Sequence, residues 1–169
     1  MSLRHALLGY LAEEPGTGYS LLKHFDGSVG YAWPARQGQI YPELNRLREE
    51  GLIRQRESGA RNSKTYEVTE AGIAELRRWL RETEPSRAVR NEPLLRVFFL
   101  WLLEPAEREA YLRKEAEYQR ALLGELERIE REEQPPRGPK GRSYRLALER
   151  GIATTRAVLE WAERAAGAR

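Results

Sequence analysis

Gln39, Asn45 and Arg46 carry side chains suited to reading hydrogen-bond patterns: two carboxamides, each both donor and acceptor, and a guanidinium with a planar fork of donors. Carboxamides pair bidentately with adenine edges and guanidinium groups with guanine edges, and Pro42 offers an apolar surface for a thymine methyl. These groups act together only if they share a face. Read as a helix from Gly38, the stretch places Ile40, Leu44 and Leu47 at four- and three-residue spacing on one side, and Gln39, Pro42, Asn45, Arg46 and Glu49 on the other. Gly51 closes the helix, because glycine takes the left-handed conformation, and Leu52-Ile53 begins an extended run. On this stretch alone an ordinary amphipathic surface helix explains the pattern equally well, so the surrounding elements must decide.

Leu3, Leu7, Tyr10 and Leu11 form a helical stripe over roughly residues 2 to 13, ended by Pro15-Gly16. Thr17 caps a second helix whose Tyr19, Leu22 and Phe25 share a side and which ends around Gly27 and Gly30. Val29 to Pro34 reads as a turn or short edge strand. The third helix starts near Gly38, or starts earlier and bends at Pro42. Ile53 to Glu57 and Thr65 to Thr69 are short strands around a polar, glycine-containing loop whose Arg61 and Lys64 suit minor-groove or phosphate contact, the plain alternative being a solvated loop. Thr69 caps a fourth helix carrying Ile73, Leu76 and Leu80. Helix, helix, helix, hairpin, helix is the winged helix-turn-helix order.

Residues 83 to 93 are the one composition break, rich in turn formers and charge, which divides the chain into domains 1–84 and 85–169. Leu94 to Leu103 is almost continuously apolar but only ten residues long, which predicts a helix buried on all sides rather than a membrane span. From Ala106 to Glu133 the positions Leu112, Ala116, Leu123, Leu126 and Ile129 keep a near-heptad spacing. After the proline-rich loop from Gln134, a last helix carries Tyr144, Leu148, Ile152, Thr155, Leu159 and Ala162. Two long antiparallel helices with exposed seams predict a twofold homodimer. The fold class is therefore mainly α with a small β-hairpin wing.

Composition excludes several functions. The 169 residues contain no cysteine and two histidines, His5 and His24, which removes thiol nucleophiles and thiolate metal sites and points to the cytoplasm. The N-terminal apolar run is too short for a signal peptide, and no segment approaches a membrane span. Neither histidine has an acid, nucleophile or metal partner at useful spacing, and no glycine-rich phosphate loop occurs, so neither an enzyme nor a cofactor is expected. The net charge of +3 is no strong guide, since residues 1–84 hold twelve basic and twelve acidic side chains. Between Arg36 and Lys64, however, seven basic residues face four acidic ones, a local patch of the kind phosphate contacts require.

Gly38-Gln-Ile-Tyr-Pro-Glu-Leu-Asn-Arg-Leu-Arg-Glu-Glu-Gly-Leu-Ile53, with Gly18-Tyr19 before it and Lys64, Tyr66 and Val68-Thr-Glu-Ala-Gly72 after it, resembles the hallmark of the PadR family of bacterial transcriptional regulators. Pro93-Leu-Leu-Arg-Val-Phe-Phe99, Leu148-Glu-Arg-Gly-Ile152 and Leu159-Glu-Trp161 are similar to the helical C-terminal region of its longer subfamily. The wing departs from the family pattern: Ala60-Arg-Asn-Ser-Lys-Thr-Tyr66 lacks a proline and one basic residue, which implies weaker wing contact, and Gln37 and Gln39 stand where the family varies.

The resemblance implies a repressor that binds an operator in double-stranded DNA and is released by a small phenolic or hydrophobic effector. In that reading Gln39, Asn45, Arg46 and Pro42 face bases, Tyr41 flanks toward a phosphate, and Tyr19, Ser20, Lys23, Arg61, Asn62 and Lys64 hold the backbone. Phe98, Phe99, Trp101 and Trp161 are candidates for an effector pocket, although aromatic residues at helical spacing serve more often as plain core. The rival reading is a winged-helix module that docks proteins, which the near-neutral charge of residues 1–84 keeps open.

Overall fold

The computed structural model describes residues 2–25, 37–58, 63–87, 90–132 and 137–167. The chain divides into two compact units, Met1–Arg87 and Ala88–Arg169. The first holds α1 (Ser2–Glu13), β1 (Gly16–Thr17), α2 (Gly18–Phe25), α3 (Gln37–Glu49), β2 (Ile53–Ser58), β3 (Ser63–Val68) and α4 (Glu70–Glu82). The strands form an antiparallel sheet in the order β1-β3-β2, with Ile53 opposite Val68 and Ser58 opposite Ser63. β1 is an addition to the expected hairpin, pairing Gly16 with Tyr66 and Thr17 with Thr65. The end of the second helix at Gly27 and Gly30, and the turn expected over residues 29 to 34, lie outside the described residues.

Apolar periodicity builds this unit. Ile40, Leu44 and Leu47 of α3 are fully buried and meet Leu7, Leu8 and Leu11 of α1, Leu21 and Phe25 of α2, and Ile53 and Tyr66 of the sheet. A core leucine of this kind contributes about 2–5 kcal/mol. α3 begins at Gln37 and carries Pro42 in its interior. Proline has no amide hydrogen, so the exposed Gly38 carbonyl is left to solvent. α3 ends in a Schellman motif: Gly51 has φ 73°, its N–H donates to the Arg48 carbonyl at 3.0 Å, and the Leu52 N–H donates to the Leu47 carbonyl at 2.9 Å. Thr17 Oγ1 accepts from the Ser20 N–H at 3.0 Å to cap α2, and Thr69 Oγ1 accepts from the Gly72 N–H at 3.1 Å to cap α4.

α4 is held to α1 by a polar contact. The His5 ring is buried, stacks on Trp79 at 4.5 Å, and donates from Nε2 to Glu75 Oε1 at 3.2 Å. Arg78 completes the group with two hydrogen bonds of 2.8 and 2.9 Å to Glu75. Arg78 first, and His5 second, draw the Glu75 carboxyl down from 4.5 to about 2. A lowered folded-state pKa gives stability that is present above pH 4.5 and lost as pH falls toward 2. In urea titrations between pH 5 and 2.5 the wild-type protein should therefore lose stability more steeply than Glu75→Gln; parallel curves would remove Glu75 as the cause.

The second unit contains α5 (Glu92–Val97), a single 3-10 turn (Leu100–Leu102), α6 (Pro105–Glu132) and α7 (Pro139–Gly167). α6 and α7 form an antiparallel hairpin in which Ala116, Leu159 and Ala162 are buried together with Leu123 and Trp161 against them. Alanines at 116 and 162 let the backbones approach. Arg120 to Glu163 at 2.6 Å and Arg156 to Glu127 at 2.8 Å pin the register across the hairpin, with little net stabilisation because both pairs are exposed.

The expected helix buried on all sides over residues 94 to 103 is corrected. α5 stops at Val97, because Phe99 leaves helical geometry at φ −114° and ψ 6°, and Leu100 is the one buried residue in the run. Phe98 is 69% exposed and Trp101 70% exposed. Continuous apolarity marks a segment that needs cover, and one chain does not supply it.

Candidate nucleic-acid interface

α3 separates its two faces completely. Over the buried stripe, Gln39, Tyr41, Pro42, Asn45, Arg46 and Glu49 are all exposed. A helix rises 1.5 Å per residue, so Gln39 and Arg46 stand about 10 Å apart along the axis, roughly three base pairs of duplex. Arg46 Nη1 lies 3.2 Å from Glu43 Oε2 one turn away, with the arginine side chain exposed and the glutamate partly buried. Such a pair contributes little, so the guanidinium exchanges readily onto another acceptor.

Tyr41 is positioned by Gly18. A Cβ on Gly18 would lie 2.5 Å from Tyr41 Cε1, so the ring rests directly on the first residue of α2 and ties that helix to α3. Tyr19 beside it is exposed, as is Lys23 on the next turn. Ser20 is different from the expectation of a phosphate contact: its Oγ accepts from the Thr17 N–H at 2.9 Å and donates to the Thr17 carbonyl at 3.0 Å. Its one proton is thereby engaged in holding the start of α2.

On the wing, Lys64 is exposed and takes part in no ion pair among the described residues. Arg61 and Asn62 lie outside the described residues. Strand alternation places two further cations on the solvent face of β2 that the motif-centred reading missed: Arg54 and Arg56 both reach Glu67 at 2.9 Å. The hydrogen bond from Arg54 holds the Glu67 carboxyl below its ordinary range. One carboxylate between two guanidinium groups leaves a surplus positive charge on the strand. Arg48 Nη1 donates to Gln55 Oε1 at 3.1 Å and fastens the end of α3 to the same strand.

Both histidines are occupied structurally, His5 as described and His24 by stacking on Tyr10 at 4.7 Å. Burial pushes the Tyr10 hydroxyl up to about 12, with Glu13 adding to the effect.

The second unit contains a cleft of about 780 Å³ walled by Pro93, Leu94, Val97, Tyr111, Val158 and Trp161. The volume suits a small organic ligand. Of the four aromatic residues expected at an effector site, Trp161 alone lines it. Phe98, Phe99 and Trp101 are exposed elsewhere on the unit and serve neither as its lining nor as core of the single chain.

Residues 7–78 match the Transcriptional regulator PadR-like family, and residues 89–168 match the family described as Virulence activator alpha C-term. The negative transcriptional regulator PadR of Bacillus subtilis (strain 168) is 32% identical over 129 residues, covering 74% of this chain and 71% of the relative. Among solved structures, Bacillus subtilis PadR in complex with operator DNA matches with a TM-score of 0.89 at 27% identity over 99% of this chain and 98% of that one. The same relative in complex with p-coumaric acid matches with a TM-score of 0.83 at 26% identity over 99% and 98%.

Proposed function

The chain belongs to the PadR-like family of transcriptional regulators, and from that membership we propose that it is a DNA-binding repressor released by a small aromatic effector. It regulates transcription rather than catalysing a reaction, and it acts in the cytoplasm, where its DNA lies. The observation that carries the reading is the exposed face of α3, with Gln39, Pro42, Asn45 and Arg46 set over fully buried Ile40, Leu44 and Leu47. A helix so divided enters a major groove without disturbing its own core.

The base edges fall to Gln39, Asn45 and Arg46, with Pro42 as apolar contact. Tyr41, Tyr19, Lys23, Lys64 and the surplus charge of Arg54 and Arg56 serve the phosphates and set the register. The regulator works as a homodimer through its C-terminal helices: Leu94, Leu95, Phe98, Phe99, Trp101 and Leu102 are exposed on one chain and form the apolar surface that a second copy covers. A twofold dimer reads a roughly palindromic operator with half-sites about 10 base pairs apart. The effector binds one arrangement of the two α3 helices better than the other and so changes their separation.

The test is binding of the purified protein to its own upstream DNA and to random duplex of equal length, from low to moderate salt. Tighter binding to the upstream fragment with a steep salt slope is expected. No binding at low salt would overturn the assignment in favour of a protein-docking module. In the same assay Lys64→Ala should weaken both duplexes alike and lower the salt slope by about one unit, since a phosphate contact carries no sequence information. A loss confined to the upstream fragment would make Lys64 a base contact instead.

A further inference from the structure

The cleft of the second unit holds a carboxylate that no cation among the described residues answers, and we propose that this cleft is the effector site and that it takes a cationic aromatic molecule, an arylalkylamine, rather than an aromatic carboxylate. The inference rests on the effector reading above and adds the ligand class.

The polar inventory of the cleft decides the class. The Tyr111 hydroxyl donates to the Pro93 carbonyl at 3.2 Å, and the Thr154 hydroxyl donates to the Arg150 carbonyl at 2.8 Å. Gln119 Nε2 donates to Glu115 Oε1 at 2.8 Å. The hydroxyl protons are therefore engaged inside the protein; Asn91, whose Oδ1 accepts from the Leu94 N–H at 2.9 Å, and Gln119 bring neutral amide groups, and the one charged group among the lining residues is the Glu115 carboxylate. Glu115 is half-buried and takes part in no ion pair among the described residues, whereas Glu109, Glu125 and Glu127 on the same helix are matched by Arg113, Arg128 and Arg156. Among the described residues, no lysine, arginine or histidine lines the cleft.

A carboxylate ligand seated against these walls would meet a like charge in Glu115. An ammonium group meets the opposite charge, with Trp161 as the aromatic surface on which a ring or the cation itself rests. The carboxylate of p-coumaric acid, bound by the Bacillus subtilis relative, thus finds no counter-charge in this cleft.

The experiment is calorimetric titration of the full chain with two shape-matched sets: tryptamine, 3-ethylindole and indole-3-propionic acid, then tyramine, 4-ethylphenol and 3-(4-hydroxyphenyl)propionic acid. In each set the amine should bind at least ten-fold more tightly than the acid. Glu115→Gln, which preserves side-chain size and whose fold is checked by a melting curve, should erase most of the advantage of the amine over the neutral compound while leaving the neutral compound unchanged. Acids binding as tightly as amines, amine affinities insensitive to Glu115→Gln, or no heat with either amine would each overturn the proposal. Anisotropy of a labelled upstream duplex separates this outcome from failure of the effector reading. A carboxylate that binds and releases the duplex upholds the effector and overturns the ligand class. An amine that binds through Glu115 without releasing DNA upholds the ligand class and overturns the effector role.

Discussion

Arg46→Ala is expected to weaken binding to the upstream fragment by about 1–3 kcal/mol, roughly 5- to 150-fold, while random duplex binding changes far less. A bidentate guanidinium on a base edge contributes discrimination as well as affinity, and its loss should relax the preference at one position of each half-site. The competing interaction inside the protein is the one-turn helix pair with Glu43, in which the Arg46 side chain stays solvated and which is too weak to hold Arg46 away from DNA. Arg46→Lys is the informative companion, because it retains the charge but not the planar fork. It should recover binding to random duplex and leave discrimination impaired. Because Glu43 loses its partner in Arg46→Ala, a melting curve that matches the wild type is the necessary control. Equal losses on both duplexes would place Arg46 against the phosphates, and no loss on either would remove α3 from the groove.

The part of the interface that was legible in the sequence is the part written in periodic apolar residues. Ile40, Leu44 and Leu47 state which side of α3 is inward, and Gly51 states where the helix stops, because both signals are local. The hydroxyl of Thr69 was legible as a cap for the same reason. The contacts that orient α3 were not. Tyr41 on Gly18 joins residues far apart in the chain through the absence of a side chain, which leaves no pattern to read. β1 is two residues long and can show no alternation, so its pairing with β3 emerged from the structure alone. The resemblance implies a phosphate contact for Ser20, and the hydrogen bonds its hydroxyl makes with Thr17, three residues away, are a local contact that no apolar periodicity announces. The cleft is legible only through Trp161: its other aromatic wall, Tyr111, sits among charged residues of α6 and carries no signal of its own. Phe98, Phe99 and Trp101 were read as core or pocket because both uses demand apolarity, and apolarity is equally what a subunit surface demands.

A large loss of stability is expected from adding a side chain where the fold leaves no room for one, in Gly72→Ala. A Cβ built there would lie 2.2 Å from the Leu52 carbonyl oxygen and 2.8 Å from Val68 Cγ2. The Leu52 carbonyl cannot retreat freely. It accepts from the Thr69 N–H at 3.0 Å, and the Leu52 N–H is the outer bond of the Schellman motif that ends α3. Relief of the clash must therefore shift α4 away from the start of β2, loosening the stack of His5 on Trp79 as well. Overpacking against backbone should cost about 3 kcal/mol, which for a unit of this size lowers the melting temperature by roughly 10–20 °C. The same substitution at Gly151 in α7 is the internal comparison, since a Cβ there meets only Leu126 Cδ1 at 3.6 Å, ordinary contact. Gly151→Ala should be neutral or raise stability by up to about 1 kcal/mol, because alanine restricts the unfolded chain and favours the helix. Gly72→Ala should thus melt well below the wild type and Gly151→Ala at or above it. If Gly72→Ala melted with the wild type, the close seating of α4 on the β2 entrance would be wrong, and with it the argument that this end of α3 is fixed by its neighbours.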